Sequence, residues 1–212
     1  MLELGIKVTL AYALGAVMGG LVVGYLGGGV DLRNVGSGNV GGTNALRTQG
    51  KAFALWVMLI DVGKGIVAVA LIPRLTLGDL APDPEIDRDL VTYAVAYAAI
   101  VGHVYPIWFE FRGGKGGATA AGLLCYFSPW AAVVVIATWV AVVFFTGYVG
   151  IATVSAAVLA AVYVGLTDLP EQHAFFVFTS LVALLIVYTH RSNLRRMLAG
   201  TESRFGRFFG LK

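Results

Sequence analysis

Residues 116–167 read GGATAAGLLCYFSPWAAVVVIATWVAVVFFTGYVGIATVSAAVLAAVYVGLT, a stretch without Asp, Glu, Lys or Arg. At about 20 residues per crossing, it could traverse a bilayer two or three times. The stretch from Val8 to Val30 is also uncharged. Of the 212 residues, 58% are hydrophobic and 13% are charged, and the mean hydropathy is +0.81. Water-soluble domains have a different composition, so the chain is predicted to be an all-α integral membrane protein.

Four further apolar segments have the length of a membrane-spanning helix. They lie at residues 8–30, 52–72, 90–109 and 173–189. Within the uncharged stretch, turn residues near Ser128-Pro129 and near Gly147 mark out three short crossings. The crossing after Lys115 is short enough to be a half-span or a re-entrant element. About seven transmembrane helices are therefore predicted, in one polytopic domain that covers residues 1–212.

The basic residues indicate how these helices are oriented. With three crossings in the uncharged stretch, eleven basic residues share one side of the membrane: Arg33, Arg47, Lys51, Arg112, Lys115, Arg191, Arg195, Arg196, Arg204, Arg207 and Lys212. Only Lys7, Arg74 and Arg88 lie on the other side. Because cytoplasmic loops carry the excess of Lys and Arg, the N-terminus is predicted to be outside and the C-terminus cytoplasmic. The outer loop is predicted to be a solvated connector, with acids at Asp79, Asp83, Glu85, Asp87 and Asp89.

The composition also excludes several kinds of chemistry. The single cysteine, Cys125, rules out an intrachain disulfide and a Cys-rich metal site. The predicted cytoplasmic face offers few acids, at Asp31, Glu110 and Glu202, so no metal and no cofactor are expected. A net charge of +3 spread over short loops is typical of membrane orientation and not of nucleic-acid binding.

The first polar motif is SGNVGGTNALR, from Ser37 to Arg47. Its glycines leave backbone N–H groups accessible, and its short polar side chains suit a helix N-terminus, which attracts anions. The glycines are Gly38, Gly41 and Gly42, and the polar residues are Ser37, Asn39, Thr43 and Asn44. The motif is interpreted as a phosphate-binding loop with Arg47 beside it, the alternative being a flexible loop with a helix cap.

The second motif is GHVYPIWFEFRGGKGGAT, residues 102–119. Gly113, Gly114 and Gly116 surround Lys115 just before a helix that carries Thr119, which again indicates an anion site. His103 is as consistent with a hydrogen-bonded packing residue as with a catalytic one. In the second apolar segment, Asp61 and Lys64 are predicted to pair with each other, because an isolated charge at that depth is costly. A part in a substrate or proton path is the alternative.

The third motif is HRSNLRRMLAGTE, residues 190–202, where the last helix leaves the membrane. His190 and Asn193 are three residues apart and are predicted to share one helical face as active-site donors. Arg195 and Arg196 are interpreted as lipid-headgroup anchors, the alternative being that either contacts substrate. All three motifs are predicted to lie on the cytoplasmic face. A ligand with a phosphate head and an apolar tail, or two ligands with one each, would suit them.

Together the three motifs resemble those of the bacterial acyl-phosphate:glycerol-3-phosphate acyltransferases, in matching order and spacing from Ser37 to Glu202. The resemblance implies a multi-pass enzyme of the cell inner membrane with an external N-terminus, seven helices and a cytoplasmic active site. It implies transfer of a fatty acyl group from acyl phosphate to the 1-hydroxyl of sn-glycerol 3-phosphate, giving lysophosphatidic acid and phosphate for phospholipid biosynthesis. A small anion or phospholipid transporter, with the same loops as a gate, is the alternative.

The resemblance also implies roles for individual residues. Those that would hold glycerol phosphate in the catalytic site are Ser37, Arg47, Lys115, His190 and Asn193. Those that would bind or cradle substrate are Gly38, Asn39, Gly41, Gly42, Thr43, Asn44, His103, Gly113, Gly114, Gly116 and Thr119. A substrate phosphate oxygen is hypothesised to accept the hydroxyl proton, with His190 orienting or assisting. Besides the two substrates and membrane lipids, no partner is expected, and the chain is expected to act as a monomer.

Overall fold

The computed structural model describes residues 1–78, 84 and 86–205, and the elements in this part of the chain are helices. The α-helices are α1 (Leu2–Gly15), α2 (Gly19–Leu26), α3 (Gly42–Gln49), α4 (Lys51–Leu71), α5 (Arg88–Val104), α6 (Gly117–Phe127), α7 (Pro129–Thr146), α8 (Val149–Thr167), α9 (His173–Thr189) and α10 (Arg191–Leu198). Short 3₁₀ helices cover Leu32–Asn34, Ile72–Arg74 and Ile107–Phe109. The predictions for Asp79, Asp83, Glu85, Arg207 and Lys212 lie outside the described residues.

Four of the described helical segments are long and apolar enough to cross a membrane: Lys51–Arg74, Arg88–Phe109, Pro129–Thr146 and Val149–Thr167. Two bent pairs, α1 with α2 and α9 with α10, turn by 46° and 50° at short breaks. If each bent pair forms one span, the number of spans rises to six. The predicted all-helical class is confirmed, whereas the count of seven stays a prediction.

The predicted breaks in the uncharged stretch are confirmed. Ser128 caps α7, because its Oγ accepts a hydrogen bond from the N–H of Ala131, and Pro129 is the first residue of the helix. Gly147 ends α7 in the left-handed conformation, with a φ of 75°. Helix α6 has 11 residues and is about 16 Å long. This is roughly half of a bilayer core, in line with the short crossing predicted after Lys115.

The prediction of a single helix over 8–30 is wrong, because the chain bends between α1 and α2. The reason lies in α4, whose charged side chains bond the backbone at the break. Asp61 Oδ1 accepts from the N–H of Gly19 at 3.1 Å, and Lys64 Nζ donates to the carbonyl of Val17 at 2.6 Å. These contacts satisfy backbone groups that an unbroken helix would have paired internally.

The internal contacts of the chain divide it into two compact units, of which the first comprises residues 1–126. In this unit α4 contacts α1, α2, α3 and α5, and α1 also packs along α5. The α1–α5 contact depends on glycine, because a Cβ at Gly102 would collide with the carbonyl of Tyr12. A Cβ at Gly122 would likewise collide with the carbonyl of Val62, so α6 lies close to α4.

The second unit comprises residues 127–212, described to residue 205. Here α8 packs between α7 and α9, and α10 contacts α8 and α9. Trp139 of α7 donates to the Oγ1 of Thr153 on α8 at 3.1 Å. Phe127, Phe175 and Phe178 form an aromatic cluster at the start of this unit. The unit positions α10, which carries most of the third motif.

Candidate active site

Asn44 holds the first motif together from inside. Its side chain is buried, with 2% exposed. Oδ1 accepts from the N–H of Ser37 at 2.9 Å, while Nδ2 lies within hydrogen-bond distance of three carbonyl oxygens, those of Leu32, Val35 and Asn39. Because both ends of the amide are bonded to backbone, Asn44 shapes the loop and leaves other groups to contact a ligand.

The rest of the first motif forms a tight turn in front of a short helix. Gly36 has a φ of 60°, and a Cβ there would collide with the Asn44 side chain, so this position requires glycine. Asn39 Oδ1 accepts from the N–H of Gly41 at 3.0 Å. The second half of the motif lies in α3, a separate helix that Gly50, with a φ of 89°, separates from α4.

Arg47 lies on α3, one turn beyond Thr43. Residues four apart share a helical face, so the Thr43 and Arg47 side chains are on the same side of α3. The Nε atom of Arg47 is buried, and the residue as a whole is partly exposed. Ser37 and Gly38 are exposed at the tip of the same loop. The predicted first-motif residues therefore lie together.

In the second motif, the glycine loop (residues 113–117) folds back on the end of α5. The N–H of Gly113 donates to the carbonyl of Val104 at 3.2 Å, and the N–H of Gly114 donates to that of His103 at 3.0 Å. Lys115, which is partly exposed, lies two residues before the first residue of α6. Its charge therefore adds to the positive end of the α6 dipole. The predicted Thr119 is fully buried in α6.

The first two motifs lie in the same unit and their neighbourhoods are in contact. The Arg33 guanidinium is 5.5 Å from the centre of the Phe109 ring, which also packs against a core that contains Leu32, Val40 and Ala45. Arg33 is fixed from the other side by Asp31, at 2.7 Å, and this ion pair lowers the pKa of the Asp31 carboxyl.

Beneath the second motif lies a cluster that we call the buried triad, formed by Asp61, Lys64 and His103. Lys64 Nζ is 3.0 Å from Asp61 Oδ1, which confirms the predicted pair. The same ammonium is 2.8 Å from His103 Nδ1, a contact that the sequence did not indicate. His103 is 2% exposed, and of its two sequence interpretations the hydrogen-bonded packing residue describes this geometry.

The third motif lies in the second unit. His190 ends α9 and precedes α10, and its Nδ1 is 2.8 Å from the carbonyl oxygen of Ile186. The chain bends by 50° between α9 and α10, and His190 is the N-cap of α10, three residues before Asn193, so their shared helical face stays a prediction. Because the Ile186 carbonyl can only accept, Nδ1 donates to it, and Nε2 is the nitrogen that can accept a proton.

Glu202 organises the third motif, and sequence reasoning missed it. Its carboxylate accepts from Asn193 Nδ2 and from Arg196 Nε, both at 2.7 Å. The carboxylate side chain is 5% exposed. Arg196, interpreted as a headgroup anchor, is thus part of an internal ion pair, whereas Arg195 is exposed. The only signal in the sequence was an acid placed shortly after two arginines.

These features define an integral membrane protein whose polar loops adjoin helix ends. Residues 6–200 match the family described as glycerol-3-phosphate acyltransferase, and the chain belongs to this family. It is 40% identical to a glycerol-3-phosphate acyltransferase of Bordetella pertussis, over 94% of this chain and 91% of the relative. It is 38% identical to one of Caulobacter vibrioides, over 97% and 89%.

Solved structures show the same likeness in three dimensions. The crystal structure of PlsY (YgiH), an integral membrane glycerol 3-phosphate acyltransferase, in its glycerol 3-phosphate form has a TM-score of 0.83 and 33% sequence identity with this chain. The match covers 98% of both chains. The lysophosphatidic acid form of PlsY has a TM-score of 0.81 and 29% identity, again over 98% of both chains.

Proposed function

We propose that this protein transfers a fatty acyl group from acyl phosphate to the 1-hydroxyl of sn-glycerol 3-phosphate, giving lysophosphatidic acid and inorganic phosphate. The observation that carries the proposal lies in the first unit. Two glycine-rich loops each adjoin a helix there, with Arg47 on the helix that follows the first loop and Lys115 within the second loop. Membership of the family supports this activity over transport of an anion or phospholipid.

The chemistry asks little of the protein beyond positioning and charge stabilisation. The acceptor hydroxyl oxygen attacks the acyl carbon, its new C–O bond replaces the bond to phosphate, and inorganic phosphate leaves. Because acyl phosphate is already activated, the main needs are to bring two phosphate-bearing substrates together and to stabilise the developing negative charge. Ser37, Arg47 and Lys115 would bind the acceptor phosphate. The glycines of the first two motifs, with Asn39 and Thr43, would shape the donor cradle.

Proton transfer in this scheme ends on phosphate. As the new C–O bond forms, His190 Nε2 accepts the hydroxyl proton and passes it to an oxygen of the departing phosphate, so His190 assists the transfer and phosphate is the final acceptor. The hydrogen bond from Nδ1 to Ile186 supports this role, since it directs the accepting nitrogen away from the backbone. Asn193, held by Glu202, would donate to the acceptor substrate.

The proposal includes the setting in which the enzyme works. The protein would be a monomer with a single polytopic domain and seven spans in the cell inner membrane. Its N-terminus would be outside, and its active site would be on the cytoplasmic face. The excess of Lys and Arg in the loops that carry the motifs supports this orientation.

The test is phosphate release by the purified protein from palmitoyl phosphate, with and without glycerol 3-phosphate. We expect release that depends on the acceptor, together with stoichiometric formation of lysophosphatidic acid. Palmitoyl-CoA serves as the matched donor control and should give little product. Equal or faster acylation from the thioester would contradict the proposed donor, and lack of product from both donors would contradict the activity.

A further inference from the structure

We propose that the buried triad of Asp61, Lys64 and His103 is a positioning device that fixes the glycine loop and, through it, Lys115. This inference rests on the proposed function and goes beyond it, because neither Asp61 nor Lys64 belongs to a motif. Both lie in α4, inside an apolar segment, and both are buried, with 0% and 5% exposed. They act on the reaction only through the residues they hold.

The Lys64 ammonium is bonded in three directions. It has three N–H donors and three acceptors, the carbonyl of Val17 at 2.6 Å, His103 Nδ1 at 2.8 Å and Asp61 Oδ1 at 3.0 Å. Asp61 Oδ1 also accepts from the N–H of Gly19. The triad therefore ties α4 to the break between α1 and α2 and to the end of α5.

These contacts set the state of the His103 ring. An ammonium can only donate, so His103 Nδ1 accepts and the proton of the neutral imidazole lies on Nε2. The Nε2 edge of the ring faces the glycine loop, because a Cβ at Gly114 would collide with it. The ring thus fills the space between Lys64 and Gly114.

The backbone of the glycine loop is hydrogen-bonded directly to the end of α5 that carries His103. Gly114 donates its N–H to the His103 carbonyl, and Gly113 donates to the next carbonyl, that of Val104. Lys115 is the next residue along the chain. Rotation or displacement of the His103 ring would move the loop backbone and hence the proposed phosphate contact of Lys115.

A contribution to the stability of the fold does not by itself explain why charged residues form this cluster. A charge at the centre of a membrane-spanning helix is costly to insert into the bilayer. A buried ion pair can often be replaced by uncharged residues of similar volume without loss of stability. A positioning role accounts for charged side chains at this place, since three directional bonds define one geometry of the loop.

The test compares two matched double variants. Asp61→Asn with Lys64→Met removes both charges of the triad together. Glu3→Gln with Lys7→Met makes the same kind of change in another buried ion pair, whose Nζ–Oε1 distance is 2.7 Å. Lys7 is about 15 Å along α1 from the break at Val17, so the control lies away from the loop.

We expect the triad variant to raise the KM for glycerol 3-phosphate at least about fivefold, because Lys115 moves, and to raise the KM for palmitoyl phosphate as well, because the glycines of the loop are proposed to shape the donor cradle. Hydrogen exchange at residues 113–117 should become faster, while α1 residues before Gly15 keep their rates. The control variant should retain both KM values. A purely structural role would lower stability or yield and leave both KM values unchanged.

A folded triad variant with the parent's KM values and loop exchange would overturn the inference. If that variant is not recovered folded, the KM values and the hydrogen exchange of the loop are measured on the single variant Asp61→Asn, and these results test the inference. This change keeps the Lys64 contacts to Val17 and His103 but weakens the ion pair, so a smaller rise in the KM for glycerol 3-phosphate is expected and an unchanged KM is contradictory. A parent protein without acyltransferase activity would contradict the proposed function instead, and loop exchange would then test the triad alone.

Discussion

Arg47 and Lys115 carry the positive charge of the two proposed phosphate loops, but they offer it in different forms. The Arg47 guanidinium is planar and can donate to two phosphate oxygens at once, whereas the Lys115 ammonium acts as a compact charge on a flexible stem. Arg47 is also held on one face of the short helix α3, in a unit where Asn44 fixes the preceding loop. The geometry of Arg47 should therefore matter as well as its charge.

Arg47→Lys should lower kcat/KM for glycerol 3-phosphate about 10- to 150-fold. This corresponds to a loss of roughly 1.5–3 kcal/mol of transition-state stabilisation, the value of a hydrogen bond to a charged group. The change keeps the charge but loses the bidentate contact. Steady-state kinetics with palmitoyl phosphate as donor measure the effect. Arg112→Lys, at an exposed position beside the glycine loop, is the control and should behave like the parent. If the kinetics of the Arg47 variant are unchanged, Arg47 does not bind the acceptor phosphate and serves only to orient the chain in the membrane.

Glu202→Gln tests the carboxylate that holds the third motif. The amide can still accept one hydrogen bond, but it loses the charge that pairs with Arg196, so Asn193 and Arg196 can no longer both be held as they are. We expect a loss of about 1–3 kcal/mol of stability in thermal unfolding, and a lower kcat. Glu110→Gln, at an exposed position, should change neither value. Parent-like unfolding and kcat in the Glu202 variant would contradict the proposed role of this carboxylate.

At the scale of helices, the close contact between α1 and α5 depends on the absence of a side chain at Gly102. A Cβ there would collide with the Tyr12 carbonyl and approach the backbone of Ala16, and neither group belongs to a flexible side chain. Gly102→Ala should therefore destabilise the protein by about 1–3 kcal/mol, as overpacking does in other cores. Thermal unfolding in detergent measures the change.

Gly5→Ala is the matched control for this helix pair. It also lies in α1. Apart from its chain neighbours and the nearby backbone of its own helix, no heavy atom lies within 4 Å of the position where its Cβ would be. Its unfolding temperature should equal or slightly exceed that of the parent, because alanine favours a helix more than glycine does. A Gly102 variant as stable as this control would show that the two helices can separate at little cost.

The helix ends that local residue types determine could be predicted from the sequence. Ser128-Pro129 and Gly147 stop and start helices through their own conformational preferences, and the structure confirms both breaks. The pairing of Asp61 with Lys64 was also predictable, since the two lie in adjacent turns of one helix.

Features that depend on contacts distant in the chain could not be predicted. The break between α1 and α2 is bonded by charges of α4, which lie more than forty residues further along the chain. The contact of His103 with Lys64 likewise depends on the packing of α5 against α4. In each case the residue type was visible, whereas its partner was set by tertiary packing.

At the scale of the whole molecule, we expect the proposed reaction to proceed without a metal. Among the described residues, no group of three His, Cys, Asp or Glu side chains could hold a metal ion. Phosphate charge would instead be met by Arg47, Lys115 and backbone N–H groups. Activity measured by phosphate release should survive exhaustive dialysis against EDTA. Loss of activity that one added metal restores would reveal a site outside this scheme.

The orientation of the chain in the membrane can be tested with its single thiol. After Cys125→Ala, the variants Thr76→Cys and Ser203→Cys each carry one cysteine in a loop, the first exposed and the second at the end of the third motif. If the loops that carry the motifs are cytoplasmic, an impermeant maleimide added outside spheroplasts should label position 76 and leave position 203 unlabelled until the membrane is opened.

This result is expected because Arg74 is predicted to lie on the side that carries few basic residues, while Arg191, Arg195 and Arg196 are predicted to lie on the side that carries many. The Cys125→Ala parent, without thiols, controls for background, and retained acyltransferase activity shows that each variant is folded. Labelling of both positions from the same side would require an even number of crossings between residues 76 and 203. The third motif would then face away from the cytoplasmic side on which the first two motifs are proposed to bind phosphate.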